Sequence, residues 1–168
     1  NNQDGRAVGL SGKDAKLIIC KQETPELGLV GSPTDVNPEV IFTLFENDMI
    51  PVIAPLGAGI NGETLNINGD TVSGAIASAL KADRLLLLTD VSGVQDKNGS
   101  IITELNSTQI KNWINEGIIS GGMIPKTETA LLALKGGVRG VVILDGRVPN
   151  ACLLELFTEH GAGSLIRA

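Results

Sequence analysis

Apolar residues recur in short blocks separated by glycine-rich or polar turns. Residues 8–10 and 17–20 read as short strands, and Ser11-Gly12-Lys13-Asp14 between them reads as a hairpin turn. Asn37 followed by Pro38 predicts a helix start, with Asn37 as N-cap and Pro38 at the first helical position. Val40, Ile41, Leu44 and Phe45 then form one apolar stripe. Residues 50–54 are expected to be a buried strand, and Gly57-Ala58-Gly59-Ile60-Asn61-Gly62 a glycine-rich hairpin. In Leu65-Asn66-Ile67-Asn68-Gly69-Asp70, alternation places Asn66 and Asn68 on one side of the chain, with Asp70 opening a helix. Val72, Ala75, Ile76, Ala79 and Leu80 fall on the inner face of that helix.

Residues 84–88 are a continuous apolar run, expected to be a strand buried on both faces. Asn106-Ser107-Thr108-Gln109 has the form of a capping box, before a helix burying Ile110, Trp113 and Ile114 and stopping near Gly117. Ser120-Gly121-Gly122-Met123 leads into a helix carrying Lys126, Ala130, Leu131 and Leu134, closed by Gly136-Gly137. A strand at 140–144, a helix at 151–158 and a strand at 164–166 complete the chain. This alternation predicts an α/β fold, a mainly parallel open sheet with helices on both faces. Ligands of such sheets sit beyond the carboxyl ends of the strands. Thr89-Asp90-Val91-Ser92-Gly93 and Asp145-Gly146-Arg147 are the polar loops placed to meet one.

Composition narrows the function. The 168 residues carry a formal net charge of -6 and only 2% aromatics. Neither a basic footprint for duplex nucleic acid nor stacking platforms for single strands is expected. No apolar run reaches membrane-spanning length. Cys20 and Cys152 lack metal or redox spacing and read as small buried residues of a reducing, cytoplasmic setting. The chain opens Asn1-Asn2-Gln3-Asp4 without Met, and upstream sequence is expected.

Several motifs must be weighed against plainer readings. Gly57-x-Gly59-x-x-Gly62 matches a dinucleotide fingerprint in form, but residues 63–68 read as extended, where the fingerprint needs a helix. Gly12-Lys13 lacks the spacing of a phosphate loop and reads as a turn. Asn66, Asn68 and Asp70 at one helix entrance make a polar ligand site, although Asp70 alone could be a helix-terminal charge. Lys126 stands in a helix's first turn, where a cation is disfavoured unless an anion joins it. Its plainer reading is a solvated lysine. His160 is the single histidine, so histidine general-base chemistry and a Ser-His-Asp triad are not expected, and no transition-metal site is offered.

Four segments, in order and spacing, resemble the amino acid kinase family over essentially the whole chain. They are Leu65 to Asp70, Leu87-Leu88-Thr89-Asp90-Val91-Ser92-Gly93-Val94, Gly121-Gly122-Met123-Ile124-Pro125-Lys126 and Ile143-Leu144-Asp145-Gly146-Arg147-Val148. The resemblance implies the carbamate-kinase-like three-layer sandwich. It also implies transfer of a phosphoryl group from ATP, with Mg²⁺, to the side-chain carboxylate of N-acetyl-L-glutamate in arginine biosynthesis. On that analogy Asn66 and Asn68 bind the substrate, Asp70 orients catalytic lysines, and Lys126 stabilises the transferring group. Thr89, Asp90, Val91, Ser92, Gly93, Val94, Gln95, Ile118, Ile119 and Ser120 hold ATP, and no protein metal ligand is assigned. The partners implied are these small molecules and further copies of the full-length chain, with no nucleic acid and no membrane. Such chemistry rests on positioning and fixed cations, since a carboxylate is already a nucleophile.

Residues 1–80 are expected to be part of a substrate lobe and 81–168 the ATP lobe. The family's N-terminal lobe, with two glycine-rich loops, a second lysine and a substrate-gripping arginine, is missing, so the chain alone is expected to be inactive. Gly69 replaces the usual Ala. Asn150 and His160 stand where arginine-regulated members carry His and Glu, which argues against arginine feedback. A kinase for another acylated amino acid, such as an aminoadipate derivative, and a non-catalytic nucleotide-binding module are the alternatives.

Overall fold

A computed structural model describes residues 4–159 and 161–168; His160 lies outside them. Residues 1–80 and 81–168 form two compact units. The first contains β1 (Ala7–Ser11), β2 (Ile18–Gln22), β3 (Gly31–Val36), α1 (Glu39–Glu46), β4 (Ile50–Ala54), β5 (Leu56–Gly59), β6 (Thr64–Asn66) and α2 (Gly69–Leu80). The second contains β7 (Leu85–Thr89), β8 (Glu104–Asn106), α3 (Ser107–Asn115), α4 (Met123–Lys135), β9 (Val141–Asp145), α5 (Ala151–Phe157) and β10 (Gly163–Arg167).

In the first unit, among the described residues, β1 pairs with β4 alone, in parallel, while β3, β2, β5 and β6 form a four-stranded sheet in that order. The expected hairpin of β1 and β2 is therefore wrong. The turn is real, but it moves the chain from one sheet to another. Asp14 accepts hydrogen bonds from the backbone N–H and the hydroxyl of Ser11, at 2.7 and 2.9 Å. Gly12 N–H donates to the Leu56 carbonyl at 2.7 Å, which fixes the crossing against β5. The glycine-rich hairpin does form, as β5 and β6 in antiparallel register.

The core of this unit gathers Leu17, Ile18, Cys20, Ile41, Leu65, Ile67 and Val72, with Ile76 and Leu80 of α2 packed against it. Helix α1 starts one residue later than expected, with Pro38 rather than Asn37 at the N-cap position; Asn37 Oδ1 accepts the Glu39 N–H at 3.1 Å from just before it. Of the α1 stripe, Ile41 is buried and Phe45 is exposed. Strand β4 is not buried as expected: alternate residues face solvent, with Ile50 and Val52 more than half exposed. An apolar run fixes a strand's propensity, but not how many layers cover it.

The second unit is one sheet in the order β7-β9-β10-β8. Strand β7 lies at its edge, and Leu88 is 50% exposed, so the expectation of burial on both faces fails there. That role belongs to β9, buried along its whole length. Val142 and Leu144 pack with Ala151 of α5, Leu86 and Leu165. Val141 and Ile143 point the other way by strand alternation, and α4 packs on β9. The predicted capping box at α3 is present, with Asn106 and Gln109 exchanging hydrogen bonds at 2.9 Å.

The pairings β1–β4, β2–β5, β7–β9 and β8–β10 are parallel, and β2–β3, β5–β6 and β9–β10 are antiparallel. The α/β class and the mainly parallel pairing follow the sequence pattern. No described helix is long and apolar enough to cross a membrane.

Candidate active site

Strand β7 ends in a loop that turns back over the carboxyl edge of its own sheet. That loop, the turn after α3 and the first turn of α4 enclose a cavity of about 420 Å³. Thr89, Asp90, Val91, Gly93, Val94 and Gln95 line it from the loop, and Ile118, Ile119 and Ser120 from the turn. Gly122, Met123 and Lys126 complete the wall.

Each wall has a local cause. Gly93 adopts φ +149, a region other residues rarely enter, and a Cβ there would lie 2.5 Å from the Ser164 hydroxyl. Val94 N–H donates to that hydroxyl at 2.8 Å, so β10 fastens the loop from beneath. Ile118 and Ile119 follow the capped helix α3, and both backbone N–H groups return to the Trp113 carbonyl. At the start of α4, Met123 and Ile124 donate to Ser120 and Gly121 in tight turns, which brings Lys126 onto the cavity wall. Thr127, fully buried, ties its hydroxyl to the Met123 and Ile124 carbonyls.

Among the described lining residues Lys126 is the cation and Asp90 the anion. The rest is apolar or neutral, a mixture suited to a flat aromatic base at one end and charge at the other. Of the residues expected to hold a nucleotide, all but Ser92 line this cavity; Ser92 is exposed beside it. Gly122 and Met123 were not assigned a ligand role from sequence, although the Gly-Gly-Met-Ile-Pro-Lys run contains them. Ser164 was missed altogether, because its contact with Val94 spans 70 positions.

The remaining expected site residues lie in the first unit, at the junction of β6 and α2. Leu65 and Ile67 point into the core while Asn66 and Asn68 face solvent, as alternation requires. Asn68 Oδ1 accepts the N–H groups of Asp70 and Thr71 at 2.9 and 3.2 Å, so this side chain caps α2. Its amide oxygen is thereby committed, leaving the NH₂ group as its handle for a ligand. Asp70 sits in the first turn of α2, half-buried.

Beside the end of β7 stands a charged pair from the second polar loop singled out in the sequence, outside the cavity lining. Asp145, at the end of β9, is buried, and Arg147 donates to it from its backbone N–H, Nε and a terminal nitrogen. The side-chain and then the backbone hydrogen bonds from Arg147 hold the Asp145 carboxyl down at about 2.

The chain belongs to the amino acid kinase family, whose sequence profile matches residues 1–145. Within that family it is 69% identical over 99% of its length to the acetylglutamate kinase of Ruegeria pomeroyi, and 67% identical over its full length to that of Jannaschia sp.. It spans 58% and 59% of those two proteins. A solved structure from Streptococcus mutans UA159 superimposes over 99% of the chain and 63% of its own, with TM-score 0.83 and 33% identity. N-acetylglutamate synthase of Neisseria gonorrhoeae, solved with coenzyme A and N-acetyl-glutamate, shares the fold at TM-score 0.87 and 22% identity, over 98% of this chain and 38% of its own.

Proposed function

We propose that these 168 residues are the ATP-holding lobe and part of the substrate lobe of an acetylglutamate kinase. The carrying observation is the cavity beyond β7, whose wall joins the Thr89–Gln95 loop to Lys126. The reaction moves the terminal phosphoryl group of ATP onto a side-chain carboxylate oxygen of N-acetyl-L-glutamate. The new O–P bond forms as the bond to the bridging oxygen breaks, and ADP leaves with that electron pair.

The residues have chemistry suited to this. The apolar wall from Ile118, Ile119 and Met123 accepts a base, and Lys126 offers fixed positive charge to the phosphoryl oxygens. The solvent-facing amides of Asn66 and Asn68 suit a carboxylate or acetamido group, and Asp70 would keep a lysine charged and oriented. No group of three His, Cys, Asp or Glu side chains that could hold a metal occurs among the described residues. Mg²⁺ brought by the nucleotide would be held through phosphate oxygens and water, its ordinary mode in such sites. The two free thiols, Cys20 and Cys152, suit a reducing cytoplasm. The full-length protein is proposed to form a homo-oligomer.

Two assays test the reading. Calorimetric titration of the 168-residue chain should detect ATP binding, weakened in Lys126→Ala. Hydroxylamine trapping should yield the hydroxamate of N-acetylglutamate with the full-length protein, and little or none with the 168 residues alone. An intact fold that binds no ATP, or a full-length protein forming no acyl phosphate, would overturn it.

A further inference from the structure

The turn Ser11-Gly12-Lys13-Asp14 carries a lysine that neither the core nor the nucleotide cavity uses. Its ammonium donates to the Thr64 hydroxyl on β6 at 2.8 Å, across 51 positions of chain. Thr64 and Asn66 flank the buried Leu65, so they share the outward face of that strand. At a rise of 3.4 Å per residue the two are about 7 Å apart, a span one small molecule can bridge. The other end of the lysine also lies here. Its neighbour Gly12 is bound to the Leu56 carbonyl, and Leu56 is the register partner of Asn66. Lys13 thus starts beside the residue opposite Asn66 and ends two residues from it.

The turn fixes this placement. Gly12 N–H reaches the Leu56 carbonyl at 2.7 Å, and Ile18 N–H returns to the Gly12 carbonyl at 2.7 Å. A Cβ at Gly12 would come within 2.2 Å of that Leu56 oxygen, so the close approach needs glycine. Ala15 and Lys16, just after the turn, hold φ of 50 and 53, a left-handed conformation that residues with side chains adopt only when their surroundings impose it.

The adjacent carboxylates are turned elsewhere. Asp14 accepts from the backbone N–H and hydroxyl of Ser11, and Glu63 accepts the backbone N–H of Asn61. Lys13 forms no ion pair among the described residues, and its partner Thr64 is neutral. An ammonium has three donors, and this hydroxyl takes one. An oriented, uncompensated positive charge therefore stands beside Asn66.

N-acetyl-L-glutamate is a dicarboxylate. Its side-chain carboxylate must stay free to attack phosphorus, so charge that anchors the substrate belongs on the other, non-reacting carboxylate. We propose that Lys13 is a substrate-binding residue that takes this α-carboxylate, while Asn66 takes the acetamido group borne by the same carbon. The proposal rests on the acetylglutamate kinase reading of the chain. It supplies the cation that the neutral amides of Asn66 and Asn68 lack.

The experiment uses the full-length protein and two acceptors, N-acetyl-L-glutamate and its α-amide, in which that carboxylate carries no charge. Hydroxamate formation gives kcat and KM for each, and thermal melts establish folding. Lys13→Met should raise the KM for N-acetyl-L-glutamate on the order of tenfold and leave kcat and the KM for ATP within about twofold, because the lost contact is made equally in ground and transition states. The α-amide should bind wild type weakly and lose less than about twofold more in Lys13→Met, since the partner charge is already gone. Lys13→Arg should keep part of the affinity. Thr64→Val, which frees the ammonium without removing it, should give an intermediate KM. Lys21→Met, at an exposed lysine of β2, should leave both acceptors unchanged. An unchanged KM in Lys13→Met, an equal loss for both acceptors, a fall in kcat alone, or an equal effect of Lys21→Met would overturn the assignment. A folded wild type that phosphorylates neither acceptor would instead overturn the acetylglutamate kinase reading, and this inference with it.

Discussion

The hydroxyl of Ser164, fully buried on β10, accepts the backbone N–H of Val94 and donates to the carbonyl of Ile102. One small side chain thus ties the cavity loop to the sheet. Ser164→Ala would strand a buried N–H and remove the partner of a part-buried C=O at once. A loss of about 1–3 kcal/mol is expected for a buried polar group left unsatisfied. Thermal unfolding should register it, and the affinity for ATP should fall with it because Val94 and Gly93 line the site.

Gly57 sits in β5, the neighbour of β2, with no room for a side chain: a Cβ there would meet the Cys20 sulfur at 2.2 Å and Ile67 at 3.1 Å. Gly57→Ala should destabilise the first unit by about 1–3 kcal/mol through overpacking. Adding Cys20→Ala should recover part of that loss, because it removes the obstructing atom. Denaturant midpoints of the two single variants and the double variant form the test.

Burial raises the pKa of the Cys20 thiol, so less of the reactive thiolate is present than at an exposed cysteine. Cys20 should resist iodoacetamide in the folded chain and react fully in denaturant. Mass spectrometry of the labelled peptide follows this site by itself.

Asp145 supplies a pH dependence whose sign is fixed by its environment. Its carboxyl is held at about 2 against an ordinary value of 3.8. The folded state binds this proton less readily than the unfolded chain. The stabilisation is therefore complete above about pH 4 and is lost as the pH falls through 2. In Arg147→Gln the Asp145 midpoint, read by carboxyl NMR, should rise toward the ordinary value and the acid unfolding limb should move to higher pH.

The capping box at α3 gives a local check. Asn106→Ala removes the acceptor of the Gln109 N–H, and a loss of about 1 kcal/mol is expected for an N-cap of this kind. The Ile118–Ser120 wall follows α3 directly, so a small drop in ATP affinity should accompany it.

Where the sequence read correctly, the determinants were local. Asn106 and Gln109 are three residues apart, and their exchange is encoded in four positions. The alternation of Leu65 and Ile67 against Asn66 and Asn68 needs only the two-residue period of a strand. Residues of the Thr89–Gln95 and Gly121–Lys126 segments line one cavity, and both segments were legible as short glycine-containing loops at the ends of a strand and a helix. What misled was equally local: two apolar runs flanking a turn look like a hairpin, whatever sheet each strand later joins. Leu85 to Leu88 look like a central strand because an apolar side chain says nothing about whether a layer lies above it.

By itself, then, the sequence determined the α/β class, the α3 capping box, the glycine-rich hairpin and the segments that line the cavity beyond β7. The tertiary structure decided that β1 pairs with β4 rather than β2, that β9 and not β7 is buried throughout, and that Ser164 fastens the cavity loop from β10. The reason is separation along the chain. Strand partners and the Ser164 clasp are chosen by which surfaces can be buried together, and no short window of residues contains that information.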